Sequence, residues 1–284
     1  MLVLAQRSFL VGPVSFQGPC ASGRITVQVQ GKIMAPPSTA VSTCSNYWLM
    51  FTRVDGLRVT GNGVLDGNGQ SWWIRRCSDV ALKLVGCSNL EVSQLSSKDS
   101  PQMYIAIIES SAVNVWGLTI TAPGSSPNTD GIHIERSQNV QITNSRIGTG
   151  DDCISISSGS RFVSVDGIEC GPGHGGGQGY AKSISFTNIA FDNVDNPVVI
   201  DQFYRDRSFE AAVVISNITH TNLKGTSSRP TAVAFDCSNG GSCTDIHVNS
   251  LMITGSGGRQ TVARCRNAQV TTTGQVYPEI PCRS

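Results

Sequence analysis

Three short polar clusters recur at a fixed interval in this chain: Asn128-Thr129-Asp130, Gly150-Asp151-Asp152 and Gly173-His174-Gly175. Asp130 and Asp152 are 22 residues apart, and so are Asp152 and His174. Each acid stands just before an alternation of apolar and polar residues, Ile132-His133-Ile134 after Asp130 and Ile154-Ser155-Ile156 after Asp152. Such alternation is the signature of a β-strand. If each 22 residues make one turn of a coil whose strands stack in parallel, the clusters fall on neighbouring rungs, about 4.8 Å apart. An acid, an acid pair and a histidine then share one face.

The same logic extends along the chain. An apolar, any, apolar, two others, apolar pattern begins at Leu90, Val113, Val140, Val163, Ile184, Val213 and Ile246, with separations of 23, 27, 23, 21, 29 and 33 residues. Phe9 to Val14, Ile25 to Ile33, Trp48 to Phe51 and Gly56 to Gly69 read as earlier parts of the winding. No segment sustains a 3.6-residue stripe, and coils this short leave no room for a helix between successive strands. The pattern predicts an all-β fold, a right-handed parallel β-helix forming one domain over residues 1–284, with aliphatic side chains stacked inside each coil.

The period also exposes an irregularity. Strands beginning at 132 and 154 predict successors at 176 and 198. Val198-Val199-Ile200 fits, but position 176 opens Gly176-Gly177-Gln178-Gly179-Tyr180, which lacks the apolar alternation and carries the entropy cost of glycine in a strand. One rung of the site-bearing sheet is expected to be missing or replaced by loop.

Composition narrows the partners. Only 14% of the residues are charged and the formal net charge is +1, which argues against nucleic acid or an anionic membrane as the main partner. Ten cysteines suit an oxidising compartment, as does the single sequon Asn217-Ile218-Thr219. No cysteine pair has zinc-site spacing, and no metal is expected. Met1 to Ala5 is apolar, but Gln6 and Arg7 interrupt it before a signal-peptide core forms, and no run approaches a membrane span.

Hydrolysis of a glycosidic bond needs one carboxylic acid to protonate the leaving oxygen and a carboxylate to activate water. Asp130, Asp151 and Asp152 on adjacent rungs suit this, because mutual repulsion raises the pKa of one member and leaves others ionised. Any one of them alone would read as a turn-forming acid. His174 is spaced to hydrogen-bond the acid.

At these residues the chain resembles the polygalacturonases, glycoside hydrolase family 28, plant members above all. The three clusters look like that family's signature motifs in the same order. Pro13 to Cys20, Thr121 to Gly124, Ser126 to Asp130, Cys170 to Gly175 and Asn196 to Gln202 are similar to family stretches as well. The resemblance implies a secreted, cell-wall β-helix hydrolase that acts as a monomer on the α-1,4-galacturonan of pectin, with inversion and without cofactor. It implies Asp151 as general acid, Asp130 and Asp152 as the water-activating pair, His174 as support for the acid, and Asn128 and Tyr204 as substrate contacts. It also pairs Cys153 with Cys170, Cys237 with Cys243 and Cys265 with Cys282. Cys87 reads as a buried free thiol, and Cys20, Cys44 and Cys77 are unassigned.

The chain departs from the family where the period breaks. The family's fourth motif, Arg-Ile-Lys, whose cations grip the sugar carboxylate, occurs nowhere here. The chain also starts inside what resembles an early coil, without the family's leader and N-terminal cap. Lys182 and Arg205 are the nearest candidates for the lost cations, with solvated surface charge the plainer reading of both. His133 reads as outward-facing scaffold. Beside the hydrolase stands a second reading, a catalytically silent β-helix that at most binds pectin. A calcium-dependent lyase is a third, weaker one, since its metal-binding acids and base are not recognisable.

Overall fold

The computed structural model describes the chain except residues 1, 5–6, 41–43, 76, 175–180, 204–213, 240–242 and 283–284. Its strands pair in parallel throughout, each with the strand one coil earlier and one coil later, giving a parallel β-helix. Crossovers between parallel strands are right-handed in almost all proteins, and the winding here is right-handed too. The one α-helix among the described residues is a single turn, Gln70–Trp73. No described helix is long and apolar enough to cross a membrane.

The repeat predicted from sequence is the register of the longest sheet. Leu90 pairs with Val113, Val113 with Val140, Val140 with Val163, and Val163 with Ile184. The next repeat is displaced from its expected place: Ile184 pairs with Ile218, Phe186 with His220 and Ile189 with Leu223, and Ile218 pairs in turn with Ile246. The expected start, Val213, lies outside the described residues. The register was hidden because the second inward position of this repeat is a histidine. At the N-terminal end, Phe9 to Val14 divides into Ser8–Leu10 and Val14–Gln17, and Ile25 to Ile33 into Ile25–Val29 and Lys32–Met34.

The interior is a column of aliphatic side chains, among them Leu90, Val92, Val140, Ile142, Ile132 and Ile134, all 1% exposed or less. Each rung repeats this layer, so burial at roughly 25 cal/mol per Å² accumulates along the stack rather than at one centre.

The site-bearing sheet is interrupted. Six strands, from Val14–Gln17 through Ile132–Glu135 to Ile154–Ile156, form one sheet, and Val198–Asp201, Thr231–Asp236 and Val262–Arg266 form another. Among the described residues nothing pairs with the outer edge of Ile154–Ile156 or the facing edge of Val198–Asp201. The long sheet behind them runs on without a break, Ser160–Cys170 pairing directly with Ala181–Asp195 and that strand with Ile215–Ser227. The coil between therefore has its back strand but no described front strand, and residues 176–179, which should supply it, fall outside the described residues.

The gap leaves its mark on the core. An internal cavity of about 40 Å³ is lined by Ile154, Cys170, Phe191, Val198, Leu223 and His220 among others, from both sides of the break. His220 is 5% exposed, and neither ring nitrogen has a hydrogen-bond partner. It stacks between Phe186 and Phe235, at centroid distances of 5.2 and 6.2 Å. With nothing to hydrogen-bond a charged ring, burial pushes its pKa down to about 4.

Four disulfides staple the coils. The three pairs Cys153–Cys170, Cys237–Cys243 and Cys265–Cys282 are formed, Cys44–Cys77 is a fourth, Cys87 is a buried free thiol and Cys20 an exposed one. Cys153 follows Asp152 directly, and its bridge to Cys170, 17 residues on, ties the last strand before the gap to the unbroken sheet. Replacing both cysteines by alanine is expected to lower stability by about 3 kcal/mol, read from denaturant melts. A loss below about 1 kcal/mol would show that the bridge is dispensable beside the gap.

Candidate active site

The acids stand on consecutive rungs, at the corner where each coil enters the site-bearing sheet. Gly131 N–H donates to the Asp152 carbonyl at 2.8 Å, and Cys153 N–H to the His174 carbonyl at 2.9 Å. Asp152 and His174 pair as a parallel bridge, and His174 pairs next with Asp195. The column of outward positions thus reads Asp130, Asp152, His174, Asp195.

The small residues around the acids hold this corner tight. A Cβ at Gly150 would sit 1.9 Å from the Ser126 carbonyl oxygen, so only glycine lets these turns stack. Gly173 has φ +141° and would place a Cβ 2.6 Å from the Asp151 carbonyl oxygen. Thr129 is fully buried, and its hydroxyl accepts from Gly150 N–H at 3.0 Å and contacts the Ser126 hydroxyl at 2.6 Å. That bond locks the turn bearing Asp130 to the turn bearing Asp151 and Asp152.

The groups differ in surroundings. Asp130 is 9% exposed, and Ser155 Oγ donates to its Oδ2 at 2.6 Å. Burial, offset in part by that hydrogen bond and reinforced by the charge of Asp151, pushes its pKa up to about 6. Asp152 is pushed well above the usual carboxylate range by burial and by the charges of Asp130 and Asp151. Asp151 is more open, its side chain 21% exposed; its Oδ1 accepts from Asp152 N–H at 3.0 Å and lies 3.2 Å from His174 Nδ1. That contact raises the pKa of His174, against the opposing effect of its burial. One carboxyl therefore faces the open side against a readily protonated imidazole, while two sit deeper and share a surplus of negative charge. Asp151, Asp152 and His174 each offer a ligand atom within 4.8 Å of the others; a cation fits that spacing, and so does a proton-transfer pair.

Two contributors escaped the sequence reading. His133, expected as scaffold, faces outward as its alternation predicts, but outward here is into the site: its Nδ1 is 2.8 Å from Ser155 Oγ, which holds Asp130. The only sequence signal was that His133 and Ser155, 22 residues apart, occupy the same outward position of successive rungs. Asp195, paired next to His174, was missed because its strand is numbered from a coil without a front strand.

Asn128 is exposed, with φ 49°, and lines a groove of about 470 Å³ with Trp73, Pro101, Gln102 and Pro127 on the N-terminal side of the acids. Lys182 does not approach them. It lies exposed at the far end of its strand, paired with Arg161 and Ser216, while the other end of that strand, Asp195, meets His174. Tyr204 and Arg205 lie outside the described residues.

Comparison with known proteins accords with this geometry. A probable polygalacturonase of Arabidopsis thaliana is 37% identical over 99% of this chain and 72% of its own length. A polygalacturonase of Persea americana is 36% identical over 94% of this chain and 70% of its own. An exopolygalacturonase of Thermotoga maritima shares the fold, with a TM-score of 0.70 at 19% identity over 95% of this chain and 82% of that one. The Arabidopsis alignment runs over 331 positions against 284 residues here, so the relative has at least 47 positions without a counterpart. The pattern of the glycosyl hydrolases family 28 matches in two stretches, residues 1–179 and 176–274. They overlap at residues 176–179, between the last described strand of one front sheet, Ile154–Ile156, and the first of the other, Val198–Asp201. With its pattern running up to the break and resuming after it, and with plant relatives over nearly its whole length, the chain belongs to glycosyl hydrolase family 28.

Proposed function

We propose that this protein is a polygalacturonase-type hydrolase that cleaves the α-1,4-galacturonan of pectin by direct attack of water, with inversion. The observation that carries the reading is the convergence of Asp130, Asp151, Asp152 and His174 on consecutive rungs of one face. Asp151, the most open carboxyl and the one His174 touches, gives its proton to the leaving glycosidic oxygen. The deeper Asp130 and Asp152 take a proton from the water that attacks the anomeric carbon, and the carbon–oxygen bond to the leaving sugar breaks. Asn128 and Tyr204 contact the substrate. The protein works as a monomer, one solenoid domain over residues 1–284, outside the cell in the wall; its four disulfides support an oxidising compartment.

The experiment is incubation with polygalacturonate. New reducing ends are expected, and proton NMR of the first product should show the β-anomer. The Asp151–Asp152 approach is shorter than the roughly 6.5–9.5 Å of a usual inverting pair, so an α-anomeric first product would overturn the stereochemistry and nothing else. No new reducing ends, with a full-length relative active in parallel, would overturn the activity.

The interrupted sheet favours a second reading, a silent β-helix that binds pectin without cutting it. Losing two charge-assisted contacts to a sugar carboxylate removes a few kcal/mol of transition-state binding, or orders of magnitude in rate. Turnover that disappears in Asp151→Asn excludes that reading.

A further inference from the structure

Beyond His174 the column of outward positions carries one more acid, and that acid holds a cation. Asp195 occupies the rung after His174, and its Oδ2 lies 3.9 Å from His174 Nε2. On the following rung Ser228 N–H donates to the Val194 carbonyl at 3.1 Å, the Ser228 hydroxyl contacts Asp195 Oδ1, and Arg229 Nε donates to Asp195 Oδ2 at 3.0 Å. A continuous chain thus runs from the Asp151 carboxylate through His174 and Asp195 to the Arg229 guanidinium. Because the long sheet closes directly across the missing front strand, Arg229 stands only two rungs beyond His174, about 10 Å at strand spacing. Its side chain reaches back over one of those rungs to Asp195.

Arg229 is free to do more than balance Asp195. Its side chain is 66% exposed, and the contact to Asp195 engages Nε, so the two Nη groups can serve as a fork. That fork matches a carboxylate in bidentate fashion. Beside it opens a groove of about 360 Å³ on the outer face of the three-stranded sheet, lined by Asn196, Thr231, Asp236, Arg264 and Arg266 among others. Asn196 follows Asp195 and Thr231 lies two residues after Arg229, so the pair stands within two residues of the groove's lining without being part of it. Arg266 is occupied, 3.6 Å from Asp236 and stacked over Phe203 at 4.6 Å. Arg264 is exposed on the next rung outward from Ala234.

We propose that Arg229 binds the carboxylate of the galacturonate unit seated beyond His174, toward the C-terminal end of the solenoid, in place of the Arg-Ile-Lys cations that occur nowhere in this sequence, and that Arg264 takes the carboxylate of the next unit along the groove. The proposal deepens the hydrolase reading and rests on it. A polyanionic chain carrying one carboxylate per sugar meets three aspartates and Asp195 at this face, and without a cation on that side it would be repelled. Asp195 positions the guanidinium, and Arg229 sets the preference for an acidic over a neutral sugar.

The test uses the full chain carrying Asp151→Asn, which binds without cutting, and isothermal titration with tetragalacturonate and with its carboxyl-reduced counterpart. Adding Arg229→Met is expected to weaken tetragalacturonate binding at least tenfold, Arg229→Lys to restore part of it, and Arg161→Met, at the far end of the long strands, to change nothing. The reduced tetramer should bind equally with and without Arg229. In the cleaving protein Arg229→Met should raise KM with little change in kcat, the mark of uniform binding. Unchanged tetragalacturonate affinity, or equal losses for both tetramers, would overturn the role of Arg229 while leaving the hydrolase reading intact if polygalacturonate is still cut. Absence of both binding and cleavage in every variant would overturn both.

Discussion

Replacing Asp130 by asparagine is expected to remove turnover on polygalacturonate, by a factor of about 10² to 10⁴ for a lost acid–base group, and at the same time to make the protein more stable at pH 7. The sign follows from burial. The folded pKa of Asp130, about 6, lies above its ordinary 3.8, so the folded protein binds a proton between those values that the unfolded chain releases. Stability from this group is present below pH 3.8 and is lost as pH rises through 6, leaving the ionised carboxylate as a cost of roughly 3 kcal/mol at neutral pH. Asparagine keeps an acceptor for the Ser155 hydroxyl and carries no charge to desolvate. Melting curves at pH 7 and pH 4 separate the cases: the gain should be large at pH 7 and vanish at pH 4. A variant less stable at both would show that Asp130 is a structural turn residue. One that still turns over would remove it from the chemistry. If Asp130 serves as base, the same titration gives the parent an acidic limb, activity falling as pH drops through about 6 and Asp130 takes up its proton.

His220→Phe is expected to change the acid stability of the fold in the opposite sense. The ring is held neutral, with a folded pKa of about 4 against 6.5. Between these values the unfolded chain binds a proton that the folded one refuses. Stability therefore falls as pH drops through that window, by about 3 kcal/mol once pH is below 4. Phenylalanine removes the titration, keeps the stack with Phe186 and Phe235, and adds no unpaired polar atom to the cavity beside the gap. Denaturant melts from pH 7 to 4 should show a flatter profile for the variant and higher stability at pH 4. Parallel profiles for the two proteins would mean that His220 finds a partner in solution.

The two groups share a cause. The acids at the face and the histidine in the core both lie at the break, where no front strand is formed by the described residues and the long sheet runs on behind. Asp130 is buried because its turn is stacked tightly on the next, through Thr129 and Gly150. His220 is unpaired because the cavity it faces is lined by apolar side chains and cysteines that offer its ring nitrogens no partner.

What depends on a strict alternation repeated at a near-constant interval was legible in the sequence: the parallel stack, the inward aliphatic column, and the alignment of Asp130, Asp152 and His174; the rung expected to fail after His174 falls on residues outside those described. A period fixes these because in a coil the position within a turn is also the position in space. It failed where polar residues take inward positions or loops vary in length. His220 displaced the register of its repeat, which steps 34 residues from Ile184 to Ile218, and Cys44 and Cys77, 33 residues apart in irregular segments, gave no sign that they would meet. Which side chains touch across rungs came from the folded structure alone: His133 against Ser155, Ser155 against Asp130, Asp195 between His174 and Arg229. Those contacts follow from the register in which successive rungs stack, and Lys182, nearer to His174 in sequence than Arg229 is, ends far from it because it stands at the opposite end of its strand from Asp195.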